Sequence, residues 1–190
     1  PYRRSSDLRD LLLAKSQYTL VKLSPMLDWR KVVADFDGTV REVHIVATGN
    51  ECKELLLVLG QQVHEEPSAP RVFCVNDNQR IDYDSAAYTQ GLRIGGKPLP
   101  ETKNYLYEPN ASIMKAGCFD LVEERFGVTQ VGPSSHLFVS ATPVADFPGR
   151  GFAIEAIGGM NKKDIKRLLN GTKQANIAVR NFPLTAPQLR

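Results

Sequence analysis

The first eighty residues alternate between two spacings of apolar side chains. Segments with apolar positions three or four residues apart predict helices, and short runs rich in β-branched and apolar residues predict strands. The predicted helices are residues 5–15, 25–36 and 51–59, and the predicted strands are residues 18–23, 40–47 and 71–76. This alternation of helix and strand is typical of an α/β layer with crossover helices and a largely parallel sheet.

Small polar residues stand where two of these helices are predicted to begin. Ser24 precedes Pro25, a pair that suits an N-cap followed by proline at the first helical position. Asn50 precedes "ECKELLLVL" and predicts the next helix in the same way. The turn at Ser24 follows a strand, and open α/β sheets bind ligands at the carboxyl ends of strands. The alternative is that Ser24 and Pro25 only cap the helix.

The pattern changes after residue 76. The polar, turn-rich stretch 77–100 predicts a domain boundary. Beyond it, a helix over 111–126, strands over 136–141 and 151–157, a helix from 162 to 170 and a last strand over 175–182 are predicted. Asn110 and Asn161 are the predicted caps of the two helices. Gly117 indicates either close backbone packing or a break within the first of them.

Composition places the chain among soluble globular proteins. It has 190 residues, of which 42% are apolar and 24% charged, enough for one or two domains. The longest uncharged apolar run, residues 55–60, is too short to cross a bilayer, so no membrane association is expected. Cys52, Cys74 and Cys118 are widely spaced and form no CxxC pair, which favours reduced thiols in a cytoplasmic protein.

Positive charge is concentrated at the C-terminal end. The formal net charge is +3, but residues 160–190 contain seven basic residues against the single acid Asp164. That segment therefore carries +6 and the preceding 159 residues carry −3. A basic end on a nearly neutral body predicts a polyanionic partner, although a solvated surface is the alternative.

One short stretch in this basic segment combines three chemistries. Arg180, Asn181 and Phe182 offer a cation, an amide and an aromatic ring, which together can bind phosphate and stack on a base. The alternative is an ordinary strand end with Phe182 in the core. The predicted substrate- and RNA-binding residues are Lys162, Lys163, Lys166, Arg167, Arg180, Asn181 and Phe182.

Other candidate chemistry is weaker. "IGGK" at 94–97 lacks the flanking residues of a phosphate-binding loop. The serines at 134–135 beside His136 do not by themselves make a nucleophile and its base. His44 and His64 have no clustered cysteine or histidine partners, so no metal site is expected.

Six stretches of the chain resemble one bacterial protein family. They are "PYRR" (1–4), "VKLSPMLD" (21–28), "EVHIVATGNECKELL" (42–56), "YLYEPNASIMKAG" (105–117), "FPGR" (147–150) and "ANIAVRNFPL" (175–184). They look like class I S-adenosylmethionine-dependent methyltransferases that carry ferredoxin-like and THUMP-like C-terminal domains. The resemblance covers nearly the whole chain. It implies the C-terminal half of a Rossmann-like methyltransferase sheet followed by a smaller α+β domain.

The resemblance also implies site residues and a missing cofactor half. The family has the motif D-P-x-R-R after the fourth strand of its sheet, and Pro1, Tyr2, Arg3 and Arg4 match all but the aspartate, so they are the predicted catalytic residues. Strand 18–23 would be the fifth of that sheet, with 40–47 and 71–76 as the sixth and seventh. No glycine-rich turn or acidic ribose-binding residue can be assigned. S-adenosylmethionine is thus expected in a full-length parent, and this fragment alone is expected neither to bind it nor to catalyse.

The resemblance implies a division into domains and a function. Residues 1–80 would be the rear half of the methyltransferase domain, 81–104 a linker, 105–150 a ferredoxin-like segment and 151–190 the start of a THUMP-like domain. The function would be methyl transfer to RNA, the partners being RNA and the missing N-terminal half. One alternative is a non-catalytic RNA- or protein-binding protein on a degenerate methyltransferase fold. Another is an enzyme that methylates a small molecule and does not bind RNA.

Overall fold

The computed structural model describes residues 5–61, 69–88, 100–132, 135–180 and 182–189. The helices are α1 (Ser5–Lys15), α2 (Trp29–Asp35), α3 (Ala111–Ala116), α4 (Phe119–Phe126), α5 (Lys162–Leu168) and a short 3₁₀ helix (Ala186–Leu189). The strands are β1 (Tyr18–Leu23), β2 (Val40–Thr48), β3 (Glu51–Gly60), β4 (Arg71–Asn76), β5 (Gln79–Asp84), β6 (Tyr105–Pro109), β7 (Thr129–Gln130), β8 (Phe138–Ser140) and β9 (Gly149–Ala153). The predicted mixed α/β class is confirmed.

The chain forms two compact units. The first contains Pro1–Gly91 and Pro109–Leu121, and the second contains Leu92–Glu108 and Val122–Arg190. The first unit is built on a five-stranded sheet in the order β1-β3-β2-β4-β5. β3 is antiparallel to both β1 and β2, and β2 is parallel to β4. Since β1, β2 and β4 therefore run in one direction, their carboxyl ends lie at one edge of the sheet.

The segment after Asn50 is strand β3, so the predicted helix there is wrong. Gly49 and Asn50 have φ angles of 56° and 62°, a left-handed pair that makes a tight two-residue hairpin turn between β2 and β3. Leu55, Leu57 and Leu59 are buried at every second position, which is the period of a strand. The predicted alternation and the largely parallel sheet are wrong for the same reason. Residues 71–76 then form the fourth strand and not the third.

The apolar core of the first unit lies on one face of its sheet. Helix α3 packs on this face against β2, β3 and β4. The buried side chains of the sheet face are Val43, Ile45, Ala47, Leu55, Leu57, Leu59, Val72 and Cys74. Ile113 of α3 is fully buried against them. This packing holds the N-terminus of α3 beside the sheet.

Helix α2 begins later than predicted. Asp28 is its N-cap and accepts a hydrogen bond from the Arg30 backbone N–H at 3.0 Å. Ser24 instead closes a turn, in which its hydroxyl accepts from the Met26 backbone N–H at 3.3 Å. This start places Trp29 at the first helical position, where its ring is buried and its Nε1 donates to the Ala116 carbonyl at 3.4 Å.

The predicted helix over 111–126 is two helices. α3 ends at Gly117, which adopts φ 67°, a left-handed conformation suited to glycine. α4 follows from Phe119 and is closed by Gly127 at φ 64°. The break is thus one of the two outcomes that Gly117 indicated.

The second unit has a four-stranded sheet in the order β7-β8-β6-β9. Its core is aromatic, with the Phe147 ring 4.8 Å from Tyr107, 5.6 Å from Phe126 and 6.3 Å from Phe138, measured between centroids. Val122 and Val128 of the same unit are also fully buried. Aromatic contacts at these separations add to the free energy gained from burial alone.

The C-terminal segment is less regular than predicted. The strand expected over 151–157 ends at Ala153, and residues 175–180 form no strand, so the predicted last strand is wrong over its described part. Of the residues described between 149 and 189, none is buried. Without a core to pack on, a run such as "ANIAVR" has nothing to align it as a strand. The cap at Asn161 is confirmed, since its side chain accepts from the Asp164 N–H at 2.9 Å.

Candidate functional site

The predicted basic helix exists and presents its cations to solvent. We call Lys162, Lys163, Lys166 and Arg167 the basic surface; all four side chains are exposed on α5. Ile165 and Leu168 lie half-buried on the same helix. Helical spacing thus separates an apolar stripe from a cationic one.

One acid lies within this surface and is ionised. A hydrogen bond from the Asn161 side chain holds the pKa of Asp164 below its usual value, with further bonds from the Gly159 N–H and from Arg167. The Arg167 guanidinium lies 3.4 Å from this carboxylate. The three lysines add charge beyond that pair, so α5 keeps an excess of positive charge that can attract a polyanion.

Arg180 is paired with an acid that the sequence did not single out. The Glu108 carboxylate on β6 accepts from both Arg180 and Arg150, the latter through Nε at 3.1 Å. Glu108 is 8% exposed. Phe182 is exposed, against the alternative that it belongs to the core, and Asn181 lies outside the described residues. Of the predicted trio, Arg180 is therefore anchored by a partner 72 positions away in sequence.

A second polar cluster lies at the carboxyl edge of the first sheet. The Asp77 carboxylate, after β4, accepts from the Thr48 hydroxyl and the Gly49 N–H, both at 3.0 Å. The Asn50 N–H donates to the Asn76 side-chain oxygen at 3.1 Å. These bonds join the β2–β3 turn to the β4–β5 turn. We call the side chains of Thr48, Asn50, Asn76, Asp77, Gln79 and Asn110 the edge cluster.

The edge cluster also holds the start of α3. The Asn50 side-chain oxygen accepts from the Ala111 N–H at 2.8 Å. Asn110 donates through its amide nitrogen to Gln79 at 2.8 Å, while its oxygen accepts from the Ile113 N–H at 3.1 Å. The hydrogen bonds of the cluster therefore join three chain segments, and its chemistry is to fix them in place. Sequence analysis missed this role, although Gly49-Asn50 is a dipeptide typical of a left-handed turn.

The β2–β3 hairpin extends beyond the end of β1. Leu23, the last residue of β1, pairs with Leu55, whereas β3 begins at Glu51. Four strand residues, or about 13 Å, thus project past β1 beside its following turn. The predicted turn at Ser24 and the edge cluster accordingly share the carboxyl edge of one sheet. Pro1, Tyr2, Arg3 and Arg4 lie outside the described residues, and their catalytic role stays a prediction.

The other candidates have structural partners or fall outside the described residues. His44 Nε2 lies 2.8 Å from a Glu42 oxygen, and its ring stacks on Phe73 at 4.5 Å. Residues 94–97, Ser134 and His64 lie outside the described residues. In the described ranges, no three histidine, cysteine or acidic side chains are grouped so as to hold a metal ion. Nor does any helix there have the length and apolarity to cross a membrane.

All three cysteines are free thiols. The buried Cys74 and Cys118 share a hydrogen bond, which raises the pKa of Cys74 and lowers that of Cys118. Burial adds to the rise at Cys74. Cys74 and Cys118 thus contribute to the packing between β4 and the α3–α4 junction.

Comparisons with known proteins agree with the resemblance seen in the sequence. Residues 105–148 match the ferredoxin-like domain family, and residues 149–190 match the THUMP domain-like family. The fold is similar to the crystal structure of a "putative methyltransferase" from Porphyromonas gingivalis W83, with a TM-score of 0.83 and 31% sequence identity. That similarity covers 97% of this chain and 46% of the other, so the chain spans less than half the length of that protein. No curated protein matches the chain. The predicted resemblance is confirmed.

Proposed function

We propose that this chain is the C-terminal portion of an S-adenosylmethionine-dependent methyltransferase of the cytoplasm that acts on RNA. The observation that carries this proposal is the similarity to the Porphyromonas gingivalis structure over 97% of this chain. The THUMP-like match at 149–190 and the exposed basic surface favour RNA as the substrate. We keep the division into a methyltransferase half at 1–80, a linker at 81–104, a ferredoxin-like segment at 105–150 and a THUMP-like segment at 151–190.

The open edge of the first sheet supports the first part of the proposal. β1 is an edge strand, and its Tyr18 and Leu20 side chains are 62% and 64% exposed. Soluble proteins usually cover or charge such an edge. A methyltransferase sheet that continues beyond β1 would pair this strand and bury these two side chains.

The described residues do not fit a binding site for S-adenosylmethionine. β1 leads into α2 through "SPMLD", a turn without the glycines that let a backbone approach a cofactor closely. Helix α3 follows β6 through Asn110, whose side-chain oxygen is used to cap that helix. We therefore assign the cofactor to the remainder of the parent protein and derive no step through it from this chain.

This chain's own contribution would be positioning. Methyl transfer requires mainly that the nucleophile be held in line with the methyl group. Pro1–Arg4, on our proposal, line the transfer site, and the edge cluster fixes the turns at the carboxyl edge of the described sheet. The basic surface would hold the RNA backbone.

RNA binding by the basic surface is directly testable. We expect the chain to bind a fluorescein-labelled oligoribonucleotide with an affinity that falls steeply as salt rises. The triple variant Lys163→Glu, Lys166→Glu, Arg167→Glu should weaken binding and reduce the slope of log K against log salt by about two, since each phosphate contact contributes about 0.7. Fluorescence anisotropy between about 50 and 200 mM salt measures both.

A matched variant shows whether RNA binding depends on the basic surface itself or only on the net charge of the chain. Lys15→Glu, Lys31→Glu, Lys53→Glu makes the same change in net charge on exposed lysines of the first unit. We expect it to leave the slope nearly unchanged. Binding that does not depend on salt, or that both triple variants weaken equally, would count against the basic surface. Absence of RNA binding would favour the small-molecule alternative.

A further inference from the structure

Strand β9 carries an aromatic side chain on an exposed sheet face. β9 lies at the edge of the second sheet, and Phe152 is 46% exposed. Because side chains alternate along a strand, Arg150 and Phe152 share one face and Gly151 points to the other. On that other face, a Cβ added to Gly151 would lie 3.0 Å from the ring of Tyr107, which belongs to the aromatic core. The Arg150–Phe152 face is therefore the one turned away from the core.

The strand is held rigidly in this position. Gly151 allows its backbone to pack closely on the Tyr107 ring. The hydroxyl of Tyr107 in turn accepts from the Val144 N–H at 2.8 Å, in the loop before β9. Phe152 is thus presented by an ordered scaffold, which lowers the entropy lost when a ligand stacks on it.

One guanidinium lies near the ring, and it shares a buried carboxylate with a second guanidinium. The Arg150 Cζ lies 5.8 Å from the centroid of the Phe152 ring. Glu108 orients Arg150 and Arg180 together, yet the arginine side chains stay 62% and 40% exposed. Glu108, Arg150 and Arg180 together carry a net charge of +1. An oriented guanidinium is the group that recognises phosphate geometry best.

We propose that Arg150, Phe152 and Arg180 form a nucleotide-binding platform for single-stranded RNA. Phe152 stacks on one base, and the two arginines contact the adjoining phosphates. This inference rests on the proposed function, of which it defines one contact surface. Charge favours RNA over a protein partner, because residues 149–190 contain eight basic residues and only two acids, Glu155 and Asp164.

The test uses the whole chain and an oligoribonucleotide that contains 2-aminopurine. Stacking on an aromatic ring quenches the fluorescence of this base analogue, so the wild type should quench it on binding. Phe152→Ala should lose the quenching and raise Kd at least about fivefold, the lower end for loss of one stacked base. Phe152→Trp should retain the quenching and the wild-type Kd. Arg150→Gln should lower the salt slope by about 0.7, as expected for one phosphate contact.

Tyr18→Ala and Arg71→Gln are the matched controls. Tyr18 is an exposed aromatic of the first unit, and Arg71 is an exposed arginine there that is likewise paired with an acid, Asp82. Neither should change Kd or quenching. Circular dichroism melts of every variant check that Phe152→Ala keeps its fold, as its exposure predicts.

Each outcome decides a different claim. Salt-dependent RNA binding with equal Kd and quenching in wild type and Phe152→Ala would overturn the platform and leave the proposed function standing. A loss of self-association by Phe152→Ala in sedimentation, with unchanged RNA binding, would make this face a protein interface and also overturn the platform. Absence of RNA binding by the wild type would overturn both.

Discussion

At the scale of single residues, the buried carboxylate of Glu108 pairs with Arg180, the residue predicted to contact RNA. The sequence shows Arg180 beside an aromatic ring, and that pattern alone predicts a phosphate contact. It does not show that Glu108, 72 positions earlier, pairs with this guanidinium and also with that of Arg150. Partners so distant in sequence are joined only by the sheet that carries them, so pattern analysis could not identify them.

Glu108 should therefore matter for stability as well as for orientation. Replacing it by alanine leaves Arg150 and Arg180 without their shared acceptor, and we expect a loss of about 1–2 kcal/mol in the free energy of unfolding. The value is modest because both arginines are partly solvated and regain water. Urea denaturation followed by circular dichroism measures it. Glu155→Ala, at an exposed acid of the same unit, is the control. Equal midpoints for the two variants would contradict a structural role for Glu108.

At the scale of elements, the β2–β3 hairpin shows why one segment was predicted wrongly. "ECKELLLVL" contains a continuous apolar run, and such a run fits a helix and a strand equally well. The turn decides between them, since Gly49 and Asn50 both take left-handed conformations that reverse the chain. By contrast, α1, β1, β2 and α5 have clear periods or caps, and their predicted positions are confirmed.

Substitutions at Asn50 separate the turn from the edge cluster. Asn50→Gly keeps the left-handed conformation but loses the bond to the Ala111 N–H, so we expect a cost of about 1 kcal/mol. Asn50→Ala loses the same bond and adds strain at φ 62°, for a total of about 2–3 kcal/mol. Chemical denaturation of the two variants gives the difference. Alanine as stable as glycine would show that the turn conformation is not what fixes the hairpin.

At the scale of the whole molecule, the chain combines an α/β sheet with a ferredoxin-like and a THUMP-like domain. Long stretches such as "EVHIVATGNECKELL" and "YLYEPNASIMKAG" made this similarity visible in the sequence. Their mutual contact was not visible, because the Asn50 side chain accepts from the Ala111 N–H, 61 positions further along the chain. The sequence thus identified the segments that resemble the family, but it did not predict the contacts between them.

The central claim is that this chain is the rear portion of a catalyst whose cofactor site lies in another part of the polypeptide. Isothermal titration calorimetry with S-adenosylmethionine tests it most directly, on this chain and on the full-length parent. We predict binding at one site per molecule for the parent and no measurable heat for this chain. Equal binding by both, or no binding by the parent, would contradict the claim.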